Sequence, residues 1–154
     1  MATHRIKSTN GKGIKALLRR VKNPGMVDVG IIEAKGHNGS DLNTAEIGYV
    51  HEFGSPKNNI PERSFIRSTV HGSGQKEVVA LSRRLLKKIV DGTMEQKKAL
   101  GLLGALGADL ISQKIVSIRN PPNKPSTLRG KKPRTNPLVD TGQLKNSITW
   151  RVQE

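Results

Sequence analysis

Two long stretches of helical apolar spacing, separated by one short break, set the terms on which this chain can fold. From Gln75 to Val90 the residues Val78, Leu81, Leu85 and Ile89 form one stripe, broadened by Val79, Leu86 and Val90. Lys76, Arg83, Arg84, Lys87 and Lys88 lie mostly away from it. Asp91-Gly92-Thr93 breaks the pattern, and a second helix is expected over 94–118, polar at first and then strongly apolar. Inside it Gly101, Gly104 and Gly107 recur at every third residue, each costing roughly 1 kcal/mol relative to alanine. A helix carries that cost where another backbone comes very close or where it must bend. Close helix packing is the expectation; a loosely packed, lenient helix is the plainer alternative.

The remaining elements are shorter. Ile14, Leu17, Leu18 and Val21 mark a helix over 13–22, ended by Asn23-Pro24-Gly25. Val27, Val29 and Ile31 alternate with Asp28 and Gly30, which predicts a strand over 26–32. Asn43 followed by Glu46 has the spacing of a capping box for a helix carrying Ile47, Val50 and Phe53, stopped at Gly54. Asp140, with Gln143 at the third position, is expected to cap a short helical turn, and 147–152 reads as a strand burying Ile148, Trp150 and Val152. No internal repeat is present. These elements predict a single α+β domain over 1–154, a small antiparallel or mixed sheet packed on two long helices, with an extended loop over 119–137.

The core available to such a domain is thin, since hydrophobic residues make up 34% of the 154 and aromatic ones 3%. That suggests burial completed by partner subunits. The 27 Lys and Arg exceed the 12 Asp and Glu, a net charge of +15. Such a field attracts polyanions, nucleic acid first, but the same charge also serves solubility. Without cysteine there is neither a disulfide nor a thiolate metal site. No apolar run is read as reaching the ~20 residues of a membrane span, and the N-terminus lacks the apolar core of a signal peptide, so a cytoplasmic site of synthesis and no membrane partner are expected.

Three constellations invite a chemical reading. Asp140-Thr141-Gly142 spells the tripeptide of a dimeric aspartic protease, in which each chain donates one aspartate. Here it follows two helices and opens another, where a capping role explains the aspartate without catalysis. His51-Glu52 is half of a zinc-binding His-Glu-x-x-His, but position 55 is serine. The loop over 119–137 holds five of the eight prolines, and six bases (Arg119, Lys124, Arg129, Lys131, Lys132 and Arg134) with no acid among them. These six are candidate assembly or DNA-facing contacts. The loop has no aromatic residue for base stacking, and a solvated loop that orders only in an assembly is an equal reading. No triad, nucleotide cradle or acid–base pair is found, so neither enzymatic activity nor a cofactor or metal is expected.

Four blocks in order carry a resemblance: Val27-Asp-Val-Gly-Ile31; Ala45-Glu-Ile-Gly-Tyr-Val-His-Glu-Phe-Gly54; Ile60-Pro-Glu-Arg-Ser-Phe-Ile-Arg67; and Pro137-Leu-Val-Asp-Thr-Gly-Gln-Leu-Lys-Asn-Ser-Ile-Thr149. Together they resemble the tail-completion or neck proteins of tailed bacteriophages, over nearly the whole chain. Glu52, Phe53, Gly54, Arg63, Phe65, Asp140, Thr141 and Gly142 are the motif positions. Glu62 and Ser64 stand where that family usually has a small residue and a proline, which puts a local turn in doubt. The resemblance implies a non-enzymatic virion protein, assembled in the host cytoplasm as a hexameric or larger ring at the head–tail junction. Its implied partners are the connector or adaptor and the tail-tube or tail-terminator proteins, with non-specific contact to packaged DNA as a further option. The alternative from another class is a basic nucleic-acid-binding protein.

Overall fold

The computed structural model describes residues 15–16, 18–19, 25–36, 41–130 and 136–153. Along the chain come β1 (Met26–Gly30), α1 (Thr44–Phe53), a 3-10 turn (Pro56–Asn58), α2 (Arg67–Val70), α3 (Ser73–Val90), α4 (Gln96–Ser117), α5 (Pro125–Gly130), α6 (Gln143–Asn146) and β2 (Thr149–Gln153). Of the helix expected over 13–22, Lys15, Ala16, Leu18 and Arg19 are helical and the other positions lie outside the described residues. The α+β class holds. Its sheet is antiparallel and two-stranded, with Val27 opposite Val152 and Val29 opposite Trp150. One face of it packs on α4, which also packs against α3.

That sheet explains the glycine spacing in α4, and corrects the expectation of helix-on-helix packing. A Cβ added to Gly104 would stand 2.8 Å from Val27 Cγ2 and 2.9 Å from two atoms of the Trp150 ring. At Gly107 it would meet Val29 at 3.3 Å, and at Gly101 the edge of Trp150 at 3.3 Å. The bare flank of α4 therefore receives the side chains of both strands, not another helix. Trp150, expected to be buried on its strand, remains 40% exposed because it lies along this flank. The opposite face of the sheet is polar: the Gln153 amide donates to Asp28 at 2.8 and 3.0 Å, and Arg151 stands 3.8 Å from the same carboxylate.

The core gathers at the C-terminal half of α4. Phe65, Ile111, Ile115, Leu138, Leu144 and Ile148 are buried together, with Val29, Ile31 and Ile66 packed on them. Ile31 and Ile148 were expected within strands; each lies just beyond the paired residues and turns into this cluster. On α3 the expected stripe is present, with Leu85 buried, while Val79, Leu86 and Val90 face solvent. By length and composition alone α4 is apolar enough to cross a membrane, contrary to the reading that no run is long enough. Here it carries the sheet and α3.

Helix α1 departs furthest from its apolar pattern. Its capping box forms as expected: the Asn43 side chain accepts the Ala45 and Glu46 N–H groups at 2.9 and 3.0 Å, and Glu46 accepts the Asn43 N–H at 2.8 Å. It stops at Gly54, whose φ of 75° lies in the left-handed region. Yet the buried residues are Thr44, Gly48 and Glu52, spaced i, i+4, i+8, while Phe53 is exposed. Gly48 lets the helix approach closely, since a Cβ there would stand 2.6 Å from Ile31 Cδ1. A glutamate at the end of a buried stripe needs partners.

Candidate functional site

Those partners come from the segment after α1. Glu52 Oε2 accepts the Phe65 N–H at 2.7 Å and the Ile66 N–H at 2.8 Å. Its Oε1 accepts the Ser64 hydroxyl at 2.7 Å, the Arg67 N–H at 2.9 Å and the Arg67 Nε–H at 3.2 Å. Several of these donors are the amides that the start of α2 leaves without helical acceptors. Burial pushes the Glu52 pKa up, but the hydrogen bonds from Ile66, Arg67, Ser64 and Phe65 outweigh it and the net shift is downward. Glu52 is therefore a carboxylate inside the fold, and its lone pairs are spent on structure.

Arg67 ties the hub to the surface. Its Nη2 donates to the Glu52 carbonyl at 2.9 Å and to Glu62 Oε1 at 2.8 Å, and its Cζ lies 4.6 Å above the Phe53 ring. Phe53 in turn sits 4.8 Å from Tyr49. Ser64 and Glu62 are thus both engaged, Ser64 with Glu52 and Glu62 with Arg67.

Arg63 works in the other direction. Its side chain is buried and reaches across to the proline-rich segment, donating from Nε to the Pro121 carbonyl at 2.7 Å and from Nη2 to the Pro122 carbonyl at 3.0 Å and Asn123 Oδ1 at 3.2 Å. Burial lowers its pKa, but a guanidinium titrates so high that it stays charged. Its own N–H donates to the His51 carbonyl at 2.7 Å, which draws this half of the incomplete zinc motif into the backbone frame. Beside these contacts a cleft of about 750 Å³ opens, lined by His51, Glu62, Arg63, Pro122, Lys124 and Thr127.

The basic loop is not structureless, for Pro125–Gly130 forms α5. Arg119 donates to the Val116 and Ile118 carbonyls, so it closes the C-terminus of α4. Lys124 and Arg129 are exposed, while Lys131, Lys132 and Arg134 lie outside the described residues. The loop is anchored at its far end by Asn136, a buried residue given no role of its own by the sequence reading. Its Oδ1 accepts the Leu138 and Val139 N–H groups at 2.8 and 3.0 Å, and its Nδ2 donates to the Ile115 and Val116 carbonyls at 3.3 and 2.6 Å. The Asn-Pro dipeptide was the available signal, since it marks turn initiation.

Asp140-Thr141-Gly142 contributes less than expected. Gly142 occupies the N-cap position of α6 at φ 83°, and no side chain caps the helix there. Thr141 Oγ1 accepts the Gln143 N–H only at 3.4 Å, and Asp140 is exposed at a bend, so the expected aspartate cap is not formed. The positive φ at Gly142 displaces the helix start by two residues from the position Asp140 would need.

The motif residues thus sort into a buried clamp (Glu52, Arg63, Phe65 with Ser64 and Arg67), an exposed aromatic rim (Tyr49, Phe53) and a turn (Asp140–Gly142). The clamp joins α1, the 60–67 segment and the proline-rich loop. As a class the chain is an α+β protein whose buried polar residues bind one another. Comparison with protein-family profiles, curated proteins and solved structures returns no significant match.

Proposed function

We propose that this chain is a non-enzymatic structural protein of a tailed bacteriophage virion, a neck or tail-completion subunit that works as a ring at the head–tail junction. The observation that carries this reading is where the four resembling blocks lie. Glu52 of the second block holds the amides of the third, and Phe65 of the third packs on Leu138, Leu144 and Ile148 of the fourth. Val29 of the first block pairs with Trp150, next to the end of the fourth. Blocks far apart in sequence thus serve one another's packing. Glu52 and Arg63 are both engaged by internal partners, which suits positions kept for shape, not for turnover. A net charge of +15 and a thin core suit a subunit ordered by neighbours around DNA.

Purified protein examined by size exclusion with light scattering should give discrete ring-sized oligomers that join isolated tail tubes. A monomer that binds free DNA tightly and loses it steeply with added salt would instead make this a nucleic-acid-binding protein. Charge reversal of Lys131, Lys132 and Arg134 together should block particle assembly while leaving the far-UV circular dichroism of the subunit unchanged. Normal infectious particles from that variant would remove the loop from the assembly.

A further inference from the structure

Few aromatic side chains occur in this chain, and two of them are spent on its surface. Tyr49 is 66% exposed and Phe53 49% exposed, side by side on α1, with Leu42 exposed just before that helix. Exposed clusters of Tyr, Phe and Arg are the composition of interface hot spots, and Arg67 completes this one. The charge around it is unlike the rest of the molecule. No lysine or arginine occurs between Lys35 and Lys57, the longest such gap in a chain of net charge +15, and that gap contains Asp41, Glu46 and Glu52. Glu52 is buried, so Asp41 and Glu46, with Glu62 nearby, give the outer face of α1 an acidic border.

Helix α3 presents the complementary surface. Val79, Leu86 and Val90 fall at i, i+7, i+11 and are all exposed, Leu86 to 56%. At 100° per residue Arg83, Lys76 and Lys87 follow along one side of that strip, so its border is basic. A soluble surface seldom leaves two such apolar strips without use, and these two have opposite borders.

We infer that the outer face of α1 in one copy of this chain binds the outer face of α3 in the next, a contact between two different surfaces of the same protein. This rests on the assembly role proposed above, and it names the surfaces by which neighbouring copies meet. Such a contact joins copies head to tail and gives a ring when the rotation between them closes. The aromatic pair and Leu42 lie on the aliphatic strip, and carboxylates meet Arg83 and Lys87. The same pairing helps a chain of high positive charge to associate, because a face bordered by carboxylates meets a basic one.

The test uses two full-length variants whose changes are confined to exposed positions. In the first, Asp41→Lys and Tyr49→Lys make the α1 face basic; in the second, Arg83→Glu and Lys87→Glu make the α3 border acidic. Each variant alone brings like charges together and should raise the concentration at which oligomers form by at least about tenfold in light scattering. Mixed in equal amounts they should assemble at a lower concentration than either does alone, because the unaltered α1 face of the second meets the unaltered α3 face of the first and the altered faces carry opposite charge. Unchanged circular dichroism and thermal midpoint establish that both variants fold. Oligomers that persist in either variant, or a mixture that stays as dissociated as its parts, overturn this pairing while leaving the assembly role standing. A wild-type chain that stays monomeric at all accessible concentrations overturns both.

Discussion

Helices α1 and α4 are both held unusually close to their neighbours, by opposite means. On α1 the closeness is directional: a buried carboxylate gathers three backbone amides, a hydroxyl and a guanidinium nitrogen. On α4 it is a matter of missing atoms, the bare flank at Gly101, Gly104 and Gly107 receiving Trp150, Val27 and Val29. The difference teaches where each region is fragile. A hydrogen-bonded clamp fails when a partner is removed, since the remaining donors stay buried without acceptors. A glycine flank loses nothing by removal and fails by addition, since a packed interior resists extra atoms.

The largest expected effect is therefore at the clamp. Glu52→Ala should lower unfolding free energy by about 3 kcal/mol in urea titration, because the Phe65, Ile66 and Arg67 amides and the Ser64 hydroxyl lose their acceptor together, at about 1–3 kcal/mol for a buried donor left unpaired. The same residue sets an acid dependence. Its folded-state pKa is below the ordinary 4.5, so its contribution is fully present above that value and is lost as pH falls through the lower folded pKa. Stability should decline across that acid window, and Glu52→Gln should flatten the decline; an unchanged slope in the variant would assign the acid sensitivity elsewhere.

Next comes the glycine flank. Gly104→Ala gains about 1 kcal/mol of helix propensity but forces a methyl against Val27 and the Trp150 ring, so a net loss of about 1–2 kcal/mol is expected from the denaturation midpoint. Gly101→Ala meets only the edge of the half-exposed Trp150 at 3.3 Å, and should be neutral or stabilising by up to about 1 kcal/mol. Equal effects at the two positions would mean that the sheet is not seated on this flank as described. The smallest effect belongs to the polar face of the sheet. Asp28→Asn loosens an exposed pair at 3.8 Å from Arg151 and should change stability by less than about 0.5 kcal/mol.

Much of the element order was legible in the sequence. The capping box at Asn43 and Glu46, the stop at Gly54, the α3 stripe and the paired strands all rest on interactions within a few residues, or on a period that local geometry imposes. Two expectations failed, one through distant partners and one through a local turn. The apolar positions of α1, Ile47, Val50 and Phe53, are half-buried or exposed, while Glu52 is inside because donors twelve to fifteen residues further on are there to receive it. Asp140 was expected to cap α6, yet the left-handed turn at Gly142 moves the helix start beyond it. The glycine spacing in α4 signalled a close approach but could not say that strands, not a helix, would make it.

The sequence alone determined where this chain turns, where its long helices run, its charge and its scarcity of aromatic residues, because these follow from residue identity and short-range spacing. Tertiary structure alone decided which side of α1 is buried, what the glycines of α4 receive, and that Arg63 and Asn136 anchor the two ends of the proline-rich loop. Each of these depends on a partner distant in sequence, and neither periodicity nor propensity records who that partner will be.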